Sequence, residues 1–172
     1  KYLDPADMEK KIVWCKQFAW QIEQGQCEQC LFLTGDVGRG KTHLSAAIAN
    51  EVMAHGNTVI YKRAADLFDL IRQYKYGESH KRCGEMLEQL RSCDLLVIDD
   101  LGAERTTDFV VEQLVTILED RNYQNKPWII NSNLDLNSIQ AFYTSRTSDR
   151  ILDRARIFKF NSASSLRLEK AN

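Results

Sequence analysis

One segment limits the architecture of this chain more than any other. Gly35-Asp36-Val37-Gly38-Arg39-Gly40-Lys41-Thr42 satisfies the pattern G-x-x-x-x-G-K-[ST] in full. It follows the apolar run Leu31-Phe32-Leu33-Thr34 and opens a helical pattern over about 42–55, which Gly56 stops. That strand–loop–helix setting is what separates the motif from a chance glycine turn. Its glycines let the backbone curl until successive N–H groups converge, and the positive end of the following helix adds to their field. A nucleoside triphosphate is the ligand such a cradle suits. Gly35, Asp36, Val37, Gly38, Arg39, Gly40, Lys41, Thr42 and His43 are the candidate contacts. Lys41 reaches the β- and γ-phosphates and the Thr42 hydroxyl holds Mg²⁺. His43 is expected to be a packed helix residue rather than a base.

A phosphate loop of this kind needs a parallel sheet around it, and the rest of the chain supplies one. Asp4-Pro5 marks a helix start whose apolar residues run from Met8 to Ile22 and end at Gly25. Strand-like runs recur at about 58–61, 95–98, 128–130 and 157–160. Helical patterns lie between them at about 64–76, 83–91, 108–123, 137–142 and 148–155. Strands alternating with helices mean βαβ units, hence an α/β fold with a mostly parallel five-stranded sheet in three layers. With 172 residues, at roughly 150 residues per domain, one domain is expected. Residues 1–30 form an N-terminal helix and lead-in, 62–91 a helical insertion, and 161–172 a polar tail.

Leu95-Leu96-Val97-Ile98-Asp99-Asp100 carries two carboxylates out of a buried strand, and ligands of open parallel sheets sit beyond such strand ends. Asp99 is the candidate to hold Mg²⁺ through its water shell. Asp100 is the candidate to orient or deprotonate an attacking water. A solvated turn is the plain alternative. Glu104 is a weaker substitute for Asp100.

Composition removes several classes. Lysine and arginine total 23 against 24 acids, a net charge of −1, so any nucleic-acid surface must be local. No apolar run approaches the ~20 residues that cross a bilayer, and no membrane partner is expected. The five cysteines, an odd number, suit free thiols in a cytoplasmic protein better than a disulfide framework. Cys27-Glu28-Gln29-Cys30 has zinc-like spacing but no second ligand pair nearby in sequence. Phe18, Trp14 and Trp20 are expected to pack in the core.

Taken in order, Gly40-Lys41-Thr42-His43-Leu44, Ile98-Asp99-Asp100-Leu101-Gly102-Ala103-Glu104, Asn131-Ser132-Asn133-Leu134 and Arg150-Ile151-Leu152-Asp153-Arg154 resemble the ATPase domain of bacterial and phage helicase loaders. These are of the DnaC and DnaI type, relatives of the IstB transposition helper. The resemblance covers about 31–160. It implies a P-loop AAA+ core and ATP as the nucleotide. It further implies a polar residue beside the acidic strand that senses the γ-phosphate: Asn133, with Asn131 as runner-up. An arginine offered to a neighbouring subunit of an ATP-dependent homo-oligomer is Arg154, with Arg150 as its companion. The residues alone would also allow these arginines to pair with Asp149 and Asp153 as surface salt bridges. Only 161–172 follow the last expected strand, too few for a C-terminal helical lid, so the adenine would rest on the N-terminal helix and nearby loops.

The implied partners are a replicative DNA helicase and single-stranded DNA. Residues 62–91 hold seven basic groups against five acids. Arg72, Lys75, Lys81 and Arg82 are interleaved with Tyr74 and Tyr76, the ingredients of sequence-tolerant single-strand binding, though an amphipathic helix pair with solvent-facing cations has the same composition. Two rival functions remain: an IstB-like transposition helper, and a nucleotide-gated binding module with negligible hydrolysis, motivated by the short Asp100 side chain where related ATPases carry glutamate.

Overall fold

Alternation along each strand decides how the layers assemble. In the computed structural model, which describes residues 5–76 and 80–160, with side chains over 8–76 and 84–160, Leu31 and Leu33 enter one apolar cluster while Cys30 and Phe32 enter another. Leu95 and Val97 split from Leu96 and Ile98 in the same way. Every second residue of a strand faces one side of the sheet, so both faces are covered and the sheet is a middle layer.

The elements are α1 (Pro5–Glu23), β1 (Cys30–Gly35), α2 (Lys41–Ala54), β2 (Val59–Arg63), α3 (Ala64–Tyr76), α4 (His80–Ser92), β3 (Leu95–Leu101), α5 (Asp108–Tyr123), β4 (Trp128–Ser132), α6 (Leu136–Phe142), α7 (Ser145–Leu152) and β5 (Ala155–Phe160). The strands are ordered β2-β3-β4-β1-β5, and all four pairings are parallel. Helices α1 and α2 cover one face; α3, α5 and α7 contribute to the other. β4 therefore stands between the phosphate-loop strand β1 and the acidic strand β3.

Several boundaries differ from expectation. α7 begins at Ser145, capped by the Thr144 side chain accepting from the Thr147 amide, and ends at Leu152; β5 then starts at Ala155. Arg154 thus lies in the turn between them and does not share a helix face with Arg150. β3 runs on through Asp99 and Asp100 to Leu101 with a register shift between Ile98 and Leu101. Trp20 is 53% exposed and borders the groove between α1 and α2, whereas Phe18 is buried and Trp14 stacks on it at 5.1 Å. His43 is exposed on α2, not packed. Asp4 and the tail 161–172 lie outside the described residues, as do the side chains of Lys81 and Arg82.

Arg121, fully buried on α5, ties the second helical face together. Its guanidinium donates to the carbonyls of Leu90 at 2.7 Å, Cys93 at 3.0 Å and Pro127 at 2.6 Å, which fixes the end of α4 beside the starts of β3 and β4.

Candidate nucleotide site

Strand parity aims the polar strand ends at one place. Val97 faces α1 and α2, so Asp99, two residues on, faces the first turn of α2. Ile129 does the same for Asn131, and Tyr61 of β2 is in register with Val97. The Asp99 carboxylate, 4% exposed, accepts from Thr42 Oγ1 at 3.1 Å, Tyr61 OH at 2.9 Å, Asn131 Nδ2 at 2.7 Å and its neighbour's amide, Asp100 N, at 3.0 Å. Ser45 Oγ completes the cluster, accepting from Asn131 Nδ2 at 2.7 Å and sharing a hydrogen bond with Tyr61 OH at 3.0 Å. Burial, with the Asp99 charge beside it, pushes the Tyr61 phenol up to about 12, so it stays a donor.

Gly40 has φ 90 and serves as N-cap of α2; a residue with a Cβ would be strained there, and that turn sends Lys41 back under the loop. The buried Lys41 donates Nζ to the carbonyls of Gly35 at 2.6 Å and Asp36 at 2.8 Å and to Asn133 Oδ1 at 2.8 Å. Asn133 and Asn131 are thereby separated by geometry. Asn133, exposed just past β4, touches the phosphate-loop lysine. Asn131, 1% exposed, supports Asp99 instead. Arg39 is buried, with an ion pair to Asp36 at 3.7 Å.

The donor set fits a triphosphate with Mg²⁺. Thr42 and Asp99 are hard oxygen ligands side by side, of the kind that cation takes while keeping most of its water. Asn131 Oδ1 is buried beside them without a protein partner among the described residues, a place for one of those waters.

Asp100 has φ 56, a left-handed conformation that costs a non-glycine residue about 1 kcal/mol or more. A register shift falls at this point, its side chain is half-buried, and its charge adds to that of Asp99 in raising the Tyr61 phenol. Glu104 is committed elsewhere: it accepts from the Gly102 amide at 3.0 Å and from the Tyr143 hydroxyl. Gly102 is required in that loop, because with φ +98 a Cβ would come within 2.6 Å of Leu134 Cδ1.

The arginines are engaged within their own chain. Arg154 Nε donates to Glu28 O at 2.7 Å, Nη2 to the same carbonyl, and Nη1 to Asn122 O at 3.2 Å. Arg150 pairs with Glu119 at 2.8 Å and Asp153 at 3.0 Å; Arg146, unremarked in the sequence, pairs with Glu119 at 2.9 Å. On the insertion, Arg72 and Lys75 lie over the Phe109 ring at 5.2 and 5.5 Å. Tyr76, 70% exposed, sits 5.9 Å from the same ring, while Tyr74 is half-buried.

Tyr61 and Ser45 were missed in the sequence. Ser45 stands three residues after Thr42, on the same side of α2, and that spacing was a usable signal. Tyr61 had none, because its role depends on which strands are neighbours. Between α1 and α2 an apolar groove of about 870 Å³ starts beside Gly40 and His43, with Met8, Ile12 and Phe160 on its walls. Cys27 and Cys30 are buried, their thiols pushed up by that burial to about 11 and about 12, which leaves neither a ready metal ligand.

A family model described as "IstB-like ATP binding protein" matches residues 9–171. The replicative helicase loader DnaC of Escherichia coli K12 is 29% identical over 126 residues, which is 72% of this chain and 49% of that protein. This chain spans about half the length of the curated relatives it matches. Among solved structures, the DnaC helicase loader superposes with a TM-score of 0.79 at 19% identity over 94% of both chains. DnaI gives 0.75 at 26% identity over 94% of this chain and 88% of the other. The five-stranded parallel sheet with its flanking helices is the fold that these loaders share.

Proposed function

The chain belongs to the IstB-like ATP-binding family, and from that premise we propose that it is the ATPase domain of a replicative helicase loader. In this reading it binds ATP with Mg²⁺, hydrolyses it slowly, assembles with copies of itself, and helps to place a replicative DNA helicase on single-stranded DNA. The similarity to DnaC and DnaI supports the loader role. The observation that carries the nucleotide chemistry is the convergence of β1, β3 and β4 on one point: Lys41 against Asn133 at 2.8 Å and Thr42 against Asp99 at 3.1 Å.

The roles follow from position. The loop amides from Gly35 to Thr42 and the Lys41 ammonium bind the phosphates, and Thr42 with Asp99 would hold the metal, which when bound neutralises charge across the β- and γ-oxygens. Asn133 reads the γ-phosphate, exchanging its contact with Lys41 for one to phosphate oxygen. The groove between α1 and α2 takes the purine. Asp100 orients and deprotonates the attacking water, whose oxygen bonds to the γ-phosphorus as the bond to the bridging oxygen breaks. Its strained backbone and short side chain, with Glu104 tied to Tyr143, favour slow turnover. A neighbouring copy supplies Arg154 or Arg150, worth ~10³-fold in rate where such an arginine operates. The cluster of Arg72, Lys75 and Tyr76 around Phe109 meets single-stranded DNA, with Lys81 and Arg82 of the same insertion as further candidates.

The test is turnover as a function of protein concentration, with and without single-stranded DNA. We expect the rate per chain to rise with both, and Arg154→Ala to abolish the rise while ATP binding persists. A rate per chain that stays flat across concentration and DNA would overturn the assembly and loader roles. A marked preference for duplex over single-stranded DNA would favour the transposition helper.

A further inference from the structure

The sheet edge opposite the α3 insertion carries a second charged surface. β5 is the outer strand beside β1, and a concavity of about 540 Å³ runs between it and α1. Lys10, Lys11, Arg156 and Lys159 line it together with Trp14, Ile157 and Phe158, and among the described residues no acid does. In a chain whose net charge is −1, four cations on one groove is a local concentration. Asp135, the acid whose carboxyl feels Lys159, is committed to capping α6, accepting from the Ser138 amide at 2.8 Å.

The groove is organised. Arg156 lies over the Trp14 ring at 5.5 Å and near Phe158 at 5.9 Å, while Phe18 backs the indole. The guanidinium is thereby held beside two rings while Arg156 stays exposed, and a guanidinium so placed can meet phosphate or a base plane. Lys10 stands one helical turn before Trp14, and Lys159 projects from β5 on the side that leaves it exposed.

Edge strands are normally templates for another strand. Here Lys11 Nζ donates to Lys159 O at 2.9 Å, occupying an edge carbonyl that an added strand would need, so a partner is read by side chains.

We propose that the α1–β5 groove binds the phosphate backbone of single-stranded DNA, through Lys10, Arg156 and Lys159, as a surface separate from α3. It depends neither on the nucleotide site nor on the α3 cluster. The experiment measures anisotropy of fluorescein-labelled oligothymidylate on the full chain, across salt concentrations, in a background carrying Arg72→Ala and Lys75→Ala. That background should keep salt-dependent binding. Adding Lys10→Gln and Lys159→Gln, both at exposed positions that leave the fold alone, should lower the slope of log K against log salt by about 1.4, at about 0.7 per phosphate contact on a single strand. Arg156→Gln, which keeps a planar head group over Trp14, should lower it by about 0.7. Binding already absent in the Arg72→Ala, Lys75→Ala background overturns the proposal and leaves α3 as the DNA surface. An unchanged slope in the lysine variants, or displacement of the strand by polyglutamate at equal charge concentration, overturns it as well, the latter in favour of an acidic peptide.

Discussion

Asp99 is 4% exposed and takes four hydrogen bonds from its own chain, whereas Arg146 and Arg150 meet Glu119 where every side chain involved is about a third exposed or more. Both regions are dense in polar groups, but the physics differs. Around Asp99 the carboxylate itself and Asn131 are buried while Thr42 and Tyr61 keep some contact with solvent, so removing the carboxylate strands Asn131 most and costs about 1–3 kcal/mol. Around Glu119 water stands ready to replace any partner, and such ion pairs contribute little. The Asp99 cluster is therefore held together by contacts within one chain. The Glu119 pairs are contacts weak enough to be exchanged, which the proposed role of an arginine in trans would require.

The largest effect that would test this contrast comes from Asp99→Asn. The replacement is nearly isosteric, but it sets an amide N–H₂ against the Thr42, Tyr61 and Asn131 donors. We expect a loss of about 2 kcal/mol, a fall in Tm of roughly 4–8 °C for a chain of this size, and loss of the Mg²⁺-dependent part of nucleotide affinity. Thermal unfolding with and without metal checks it. A Tm within a degree of the parent would mean that the cluster is not the mutually dependent network its distances describe.

A smaller effect separates the two arginines. Arg154 is half-buried and joins the Glu28 and Asn122 carbonyls across three elements. Arg154→Ala should cost about 1 kcal/mol through those unmatched acceptors and roughly 2–4 °C in Tm. Arg150→Ala, which removes only ion pairs between side chains a third or more exposed, should stay within about 2 °C. If DNA-stimulated turnover falls in Arg150→Ala with Tm intact, Arg150 is the residue offered to the neighbour, and Arg154 is a strut.

The same contrast explains what could be read from the sequence. Helices α3 and α5 were legible to the residue, because their apolar periods are unbroken from Ala64 to Tyr76 and from Asp108 to Tyr123. The phosphate loop was legible because all its parts are contiguous. α7 was misplaced by three residues: it holds only Ile151 and Leu152 as apolar landmarks, and the Thr144 cap that sets its start was passed over. Asn131 and Asn133 could not be separated, since they share a strand side and differ only in how far each reaches. Tyr61 reaches Asp99 because β2 lies beside β3, and Arg154 reaches Glu28 because β5 closes on β1. Such contacts are decided by strand order, which spacing does not encode.

The smallest effect is one of pH. Hydrogen bonds from Arg150 and then Arg146 hold the Glu119 carboxyl below its ordinary value of 4.5. A carboxyl depressed on folding contributes stability that is present above the unfolded value and lost as pH falls through the folded one. Wild type should therefore exceed Glu119→Gln in Tm by about 1–2 °C at neutral pH. The two curves should converge as the pH falls below about 4.5, and at neutral pH the gap should shrink in high salt, because exposed charges are screened. Melting curves of both proteins against pH and salt decide the matter. A gap that persisted at low pH or in high salt would show that Glu119 is bound as firmly as Asp99, and the proposed exchange of its arginines to a neighbour would lose its physical basis.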